Sequence, residues 1–541
     1  MTADPQVPVP PMKWDAWGDE AKAKPLSENI RALLRQALGV STDDVRAPDK
    51  SEVVLRPSTL ADEDLAALTD VVGAEHVSRA DADRLPRAGG KSTLDLLRRK
   101  SRRPQAAPDA VVLPGSDDEV AAVLDVCGRR RIAVVPFGGG TSVVGGLDPV
   151  RAGFSAVISL DLRRFDRLES LDTTSGEAVL GAGLPGPRAE QLLAEHGFEL
   201  GHYPQSFQYA TIGGFAATRS SGQDSSGYGR FDDMVCGLRV VTPAGKLELG
   251  RAPASAAGPD LRELFLGSEG TLGIITAVRL RVHRLPEVKR YEAWRFDDFA
   301  AGAAALRAVA QHGTQPTVIR LSDEAETGVN LAMTDRIGGE QVTGGCLAVT
   351  VFEGTEQQVA MRHQLTSAVL RAAGGTSLGP EPAESWAHGR FDAPYLRDAL
   401  LANGALCETL ETATSWSNAP ALKAAVTSAL QSALAETGTQ SLVMCHISHI
   451  YPTGCSLYFT VVAAQRGDTV EDVIEQWKRA KRAASDAIMA NGGTITHHHA
   501  VGVDHRPWLP DEIGDVGVRI LRAVKAELDP HGILNPGKLV P

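Results

Sequence analysis

The sequence predicts an α+β protein in which an α/β cap interrupts a two-part, glycine-rich first domain. Three observations carry that prediction. Up to about residue 286, short strand-like runs alternate with glycine turns; between about 287 and 490, helical periodicity alternates with longer strands; the last fifty residues return to glycine, histidine and proline punctuation. The 541 residues are enough for roughly three or four lobes at about 150 residues each. The expected division is an N-terminal arm with helices (1–105), the first domain (106–286), the cap (287–490) and a C-terminal segment (491–541) that rejoins the first domain.

The arm opens with a proline-rich stretch. A helix follows over 27–38, with Ser27 as N-cap and Ile30, Leu33, Leu34 and Leu38 at helical spacing. The basic run 98–103 and the proline- and alanine-rich residues after it read as a solvated connection. In the first domain VVLP, from Val111, is a strand. Ser116 and Glu119 have capping-box spacing, and Val120, Val123, Leu124 and Cys127 mark one face of the helix that follows. IAVVP, from Ile132, is a short buried strand, and AVISL, EAVLGAG, GLRVVTP and GIITAVRLRV are further strands. In the cap, helices over 300–310 and 358–373 alternate with the strands CLAVTVFEG and CSLYFTVVA.

Composition narrows the function. Lys plus Arg total 55 against 67 Asp plus Glu, a net charge of −12, which argues against nucleic acid as a partner. Cys127, Cys236, Cys346, Cys407, Cys445 and Cys455 form no CxxC pair and read as free thiols of a reducing compartment. No run reaches the roughly 18–20 apolar residues of a spanning helix. The first twenty residues lack a signal-peptide pattern, and LVP is no peroxisomal address, so a cytoplasmic location is expected.

Three glycine turns carry the first chemistry. Pro136, Phe137, Gly138, Gly139, Gly140, Thr141 and Ser142 follow a strand directly; bare glycines let backbone N–H groups approach an anion, and the hydroxyls add donors. The turn lacks the Lys-Ser/Thr of a P-loop and the GxGxxG of a dinucleotide-binding helix, and by itself serves equally well as a structural bend. The second turn holds Thr211, Gly213 and Gly214, then Thr218, Arg219, Ser220 and Ser221, with Gln205 and Ser206 just upstream. The third is Glu269, Gly270, Thr271, Leu272, Gly273, Ile274 and Ile275. Hydroxyl-rich turns beside strands suit a long phosphate-bearing cofactor.

A second constellation is His497, His498 and His499. On an extended segment His497 and His499 share one face and His498 takes the other. Acid/base work, metal ligation with Asp504 or His505, and plain core packing all compete for this triplet; no metal is assigned.

Together PFGGGTS, TIGG, GSEGTLGII and NPGK resemble the FAD-binding fold of the vanillyl-alcohol oxidase superfamily. That resemblance implies FAD, held by the residues of the three turns named above. His202 is a nearby candidate for covalent attachment, and a non-covalent flavin is expected. The chain is more narrowly similar to the alkyldihydroxyacetonephosphate synthases. Its histidine triplet stands where flavin 2-hydroxy-acid dehydrogenases show G-E-H-G-x-G, and MKWDAWG (Met12 to Gly18) resembles that family's opening. Arg320 lies in a matching IRL-x-D segment, Arg397 in a Y-x-R-D segment, and Tyr458 in the segment that supplies the active-site tyrosine.

The resemblance implies exchange of the acyl group of an acyl-dihydroxyacetone phosphate for a long-chain alcohol, giving an alkyl ether through a flavin N5 adduct with no net redox change. In it Tyr458 removes the C1 proton, Arg397 binds the phosphate in place of a plain salt bridge with Asp398 or Asp392, and Arg320 and the histidines support the chemistry. A phenol with an ordinary pKa near 10 needs a cation beside it to act as base, and the histidines are the expected source. Lipid substrates imply at most loose peripheral membrane contact, and a homodimer is the family expectation. The alternative is an FAD-dependent oxidoreductase of a 2-hydroxy acid or alcohol, which would use the same residue types.

Overall fold

The computed structural model describes residues 11–41, 50–101, 103–333 and 344–541. The proline-rich opening at 1–10 lies outside them, as does Arg102 of the basic run.

The described residues of the first domain hold two main sheets and a two-stranded ribbon of Phe198–Glu199 and His283–Arg284. In the smaller main sheet, Val77–Ser78, Ala110–Val112, Ala156–Asp161 and Ile132–Phe137 lie side by side, the last three parallel. The larger is antiparallel, in the order Leu168–Asp172, Glu177–Gly181, Ile274–Arg281, Val235–Thr242 and Gly245–Leu249. Strand Ile132–Phe137 is buried on both faces, which is why it reads as a continuous apolar run. The helix Asp117–Arg130 packs Val120, Val123, Leu124 and Cys127 into this core. Its cap is half a capping box: Ser116 Oγ accepts from Glu119 N at 3.2 Å, but the Glu119 carboxylate reaches one residue further back, to Gly115 N at 2.7 Å, and pairs with Arg164.

The cap is built on a seven-stranded antiparallel sheet, in the order Thr376–Gly379, Val288–Phe296, Cys346–Gly354, Val318–Ser322, Ser441–Ile447, Gly454–Ala464 and Ala405–Ser415. Helices Phe299–His312, Glu356–Ala372, Ala419–Ala435 and Val470–Ala490 are the largest of those that flank it. The C-terminal segment rejoins the first domain: Val134 N donates to Ile533 O at 2.9 Å and Asn535 N to Val134 O at 2.8 Å, so the tail pairs with the strand that leads into the first glycine turn.

The arm helix Glu28–Leu38 starts at Ser27, whose hydroxyl accepts from Ile30 N at 3.3 Å. The basic run corrects the reading of a solvated loop. Arg98, Arg99 and Lys100 end a helix, Thr93–Lys100, fixed by a complete capping box between Ser92 and Asp95 and by buried Leu94, Leu96 and Leu97. Arg99 is 3% exposed, and its guanidinium binds the carbonyls of Trp14, Gly89 and Gly90. No helix among the described residues is long and apolar enough to cross a membrane.

Candidate active site

A cavity of about 1880 Å³ lies between the first domain and the cap, with the arm closing one side. The three glycine turns make its first-domain wall. Pro136, Phe137, Gly138, Gly139, Gly140, Thr141 and Ser142 all line it. Glycine is obligatory at 139, where a Cβ would stand 1.9 Å from the Tyr209 carbonyl oxygen: two of the turns run in backbone contact. Gln205, Ser206, Thr211, Gly213, Gly214, Thr218, Ser220 and Ser221 line the next stretch, and Glu269, Gly270, Gly273, Ile274 and Ile275 the third.

Three predicted cofactor residues are corrected. Arg219 caps the helix Ile212–Thr218 in left-handed conformation, which re-aims its side chain to Asp232, Glu263 and the Leu266 carbonyl, off the cavity. The Thr271 hydroxyl closes its own turn on Ser268 O at 2.8 Å, and Leu272 is core. Glu269 lines the wall, but its carboxylate accepts from Gly502 N at 2.8 Å and Val501 N at 3.2 Å, tying down the C-terminal segment; burial pushes its pKa up to about 7. His202 is buried against Phe215 and Phe231 with Nε2 on Ser220 Oγ, and is not among the lining residues.

This wall fits a flavin dinucleotide. Gln205 Nε2, Ser221 Oγ and Asn535 Oδ1 belong to lining residues, are buried, and have no hydrogen-bond partner among the described residues. Orphaned buried polar atoms are costly, and here they stand beside glycine turns able to take phosphates and a ring edge.

The opposite wall is a row on the cap sheet. Glu411, Tyr458 and His446 are direct cross-strand partners, so their side chains share a face. Tyr458 stacks on His446 (4.8 Å between ring centroids, 19°) and on His498 (5.9 Å, 13°), with His499 edge-on at 5.6 Å. The histidine triplet does not alternate as an extended segment would. Its three consecutive N–H groups curl around the Glu411 carboxylate, donating at 2.5, 3.1 and 2.8 Å, and Thr496 Oγ1 adds a fourth donor at 2.6 Å. The curl brings His498 and His499 to the cavity, while His497 meets Tyr451 at its back.

The charges follow from this packing. Burial works against the Glu411 carboxylate, but the three backbone N–H groups and the Thr496 hydroxyl that converge on it favour the charged form, and its pKa lies well below the usual range. Burial depresses His498 to about 3 and His499 to about 4, so both are neutral. The expected activation of Tyr458 by histidine cations is therefore replaced by a different arrangement. Burial pushes the phenol up to about 12, and the cation that favours its ionisation is Arg320. Arg320 binds the Glu326 carboxylate and His446 Nδ1; burial opposes the charge of Glu326, but His446 and Arg320 hold it at about 2. Ligand atoms of Glu411, His497 and His498 lie within 4.8 Å of one another, yet four donors already occupy the carboxylate, which opposes a metal there.

Arg397 lines the cavity and is ion-paired to Asp398 at 2.8 Å, with Nη1 donating to Lys91 O at 2.7 Å. It is paired, and it also lines the cavity. Lys91 in turn donates to the carbonyls of Lys13, Trp14 and Ala16, and Asp398 accepts from Trp17 N, so the MKWDAWG segment braces the arginine. Sequence reading missed Lys91, although GGKS is a recognisable turn, and missed Glu326 and Glu411, which no local signal marks.

Residues 108–249 match the family described as FAD binding domain, and 285–539 match FAD linked oxidases, C-terminal domain. Over 571 aligned residues the chain is 33% identical to alkyldihydroxyacetonephosphate synthase of Trypanosoma brucei brucei, covering 98% of this chain and 92% of that one. The chain belongs to the alkyldihydroxyacetonephosphate synthase family. A solved structure of an alkyldihydroxyacetonephosphate synthase matches with a TM-score of 0.83 and 28% identity, over 97% of this chain and 98% of that one. A crystal structure of p-cresol methylhydroxylase, 16% identical, shares the fold, with a TM-score of 0.67 over 90% and 98% of the two chains. Like the family, this alkyldihydroxyacetonephosphate synthase relative is an FAD-dependent enzyme, and its glycine-turn wall has the shape and the unpartnered polar atoms for that cofactor.

Proposed function

We propose that the chain exchanges the acyl group of an acyl-dihydroxyacetone phosphate for a long-chain alcohol, forming an alkyl ether. The observation that carries the reading is the single cavity. One continuous space joins the glycine turns, the half-buried Arg397, the Tyr458–His498–His499 cluster and an apolar limb between the arm helix and the cap, lined by Leu26, Ile30, Leu34, Leu400, Met444 and Val462. At about 1880 Å³ it exceeds the roughly 300–1,000 Å³ of ordinary ligand sites and has room for a dinucleotide and an alkyl chain together.

FAD, which the glycine turns would hold, would supply a nucleophilic ring nitrogen for the exchange. Arg397, braced by Asp398 and Lys91, offers its planar fork to the substrate phosphate. Tyr458 takes the C1 proton, with Arg320 favouring the phenolate against burial. His498 and His499, neutral and facing the cavity, hydrogen-bond the departing carboxylate without competing for its charge. The apolar limb takes first the acyl and then the alcohol chain.

The test is anaerobic incubation of the flavin-loaded protein with palmitoyl-dihydroxyacetone phosphate and labelled hexadecanol. Labelled alkyl-dihydroxyacetone phosphate should form with an oxidised flavin spectrum before and after, and Tyr458→Phe should cut turnover by about 10²–10⁴-fold while keeping its flavin. Absence of ether product together with bleaching by 2-hydroxy acids would move the chain to the oxidoreductases.

A further inference from the structure

His497 does not line the cavity, is more deeply buried than the two histidines that do, and is given no direct work by the exchange chemistry. Its two ring nitrogens are both engaged. Nε2 meets the Tyr451 hydroxyl at 2.6 Å, and Nδ1 meets His498 Nδ1 at 3.0 Å. His498 Nε2 has no hydrogen-bond partner among the described residues, and His498 lines the cavity. At the other end Tyr451 is half-buried, followed by the exposed Pro452 and Thr453, and the positive charge of Arg230 acts on its hydroxyl. A continuous line of hydrogen-bonding atoms therefore runs from the half-buried Tyr451 to the reaction cavity.

We infer that Tyr451, His497 and His498 form a proton relay, with Tyr451 as its outer, positioning residue. This rests on the exchange reaction proposed above. The hydrogen bonds fix the resting state. The Arg230 cation favours the Tyr451 oxygen lone pairs on its side, which directs the Tyr451 O–H inward to His497 Nε2. His497 then carries its proton on Nδ1 and donates it to His498 Nδ1. His498 is left with its proton on Nε2, as a donor to the cavity.

A proton lent from His498 Nε2 to the departing carboxylate is replaced at His498 Nδ1 by the His497 proton. That one is replaced at His497 Nε2 by the Tyr451 proton, and Tyr451 recovers its own from water. Both rings end neutral with their tautomers exchanged, and one proton has moved inward. The hydroxyl proton of the attacking alcohol runs the same path backwards and restores the start. No imidazolium is needed at any stage, which suits a site where burial holds His497 well below, and His498 at about 3 against, the ordinary histidine pKa. The groups facing the relay are few. Glu411 Oε2 lies 3.7 Å from His498 Nδ1, beyond hydrogen-bond distance, with its carboxylate taken by three backbone N–H groups and the Thr496 hydroxyl, and His449 sits beside His497 with its own Nε2 on the Gly222 carbonyl.

The decisive measurement is nitrogen NMR of the flavin-loaded full chain with ¹⁵N-labelled histidine, the two signals being assigned with His497→Asn and His498→Asn. Wild-type protein should show His497 as the Nδ1–H and His498 as the Nε2–H tautomer between pH 6 and 8. This readout does not depend on any turnover, so it stands even if the exchange reaction is absent. His498 protonated on Nδ1, or either ring cationic in that range, would overturn the relay. Tyr451→Phe should then mix the His497 tautomers and lower kcat about tenfold, with KM for the acyl substrate within twofold and a larger solvent deuterium effect. Unchanged tautomers and kcat in that variant would exclude Tyr451 from the path.

Discussion

The two walls of the cavity are built on different principles. The flavin wall works through backbone: glycines at 138–140, 213–214 and 270 expose N–H groups, and the turns are held by touching one another, as Gly139 touches Tyr209. The reaction wall works through side chains whose partners come from far along the chain. Glu411 binds His497 across 86 residues, and Arg397 binds Lys91 across 306. The difference teaches where each wall is fragile. The first fails when a side chain is added, the second when one charge is taken away.

The sharpest test of that contrast is Glu411→Gln. Three N–H donors and a hydroxyl converge on this carboxylate, and an amide cannot accept them all. Turnover should fall at least about a hundredfold and stability by about 2 kcal/mol, read by urea unfolding, while flavin content stays at wild-type level. Equal losses of flavin and turnover would show that the walls are not independent.

Gly139→Ala is the mirror experiment. Its Cβ must push the Tyr209 backbone away, so flavin occupancy, measured by the visible absorbance per protein, should drop about tenfold or more. Amide protection at His497, His498 and His499 should be untouched.

Acidity should separate the walls by sign. His498 and His499 have depressed pKa values in the fold, about 3 and about 4 against about 6.5 unfolded. The unfolded chain binds more protons as pH falls below 6.5, so stability at this wall is lost on acidification from there towards pH 3–4. Glu269 is raised to about 7, so its contribution is full below about 4.3 and is lost as pH rises through 7. Hydrogen exchange at pH 5 and pH 8 should show protection at His497–499 falling at the lower value and at Val501 and Gly502 falling at the higher. Parallel changes at both sites would refute the assignment.

The smallest effect belongs to Arg219→Ala. The arginine sits in partly exposed ion pairs outside the cavity, so flavin content should not change and the stability cost should be about 1 kcal/mol or less.

The same contrast explains what could be read from the sequence. Ser27, the strand Ile132–Phe137 and the three glycine turns were legible because each is dictated by neighbours a few residues away. Thr93–Lys100 was misread because its charged end masked Leu94, Leu96 and Leu97 and the Ser92 cap, which decide the helix. The histidine faces were misassigned because periodicity assumes a straight segment, and the carboxylate that bends it lies on another strand. Glu411, Glu326 and Lys91 act only through partners that the topology delivers, and Arg219 shows the converse, a residue inside a correct motif that a left-handed cap turns away.

The return of the tail to the first domain has a consequence in time. Asn535 donates to the Gly146 carbonyl across 389 residues and to the Glu269 carbonyl, and the neighbouring Leu534 forms an isolated bridge with Val134. On a ribosome adding about 5–20 residues per second, the first glycine turn must wait roughly 20–80 s for the residues that complete its frame. Flavin capture is thereby deferred to the end of synthesis, and a nascent chain stalled inside the cap would emerge colourless.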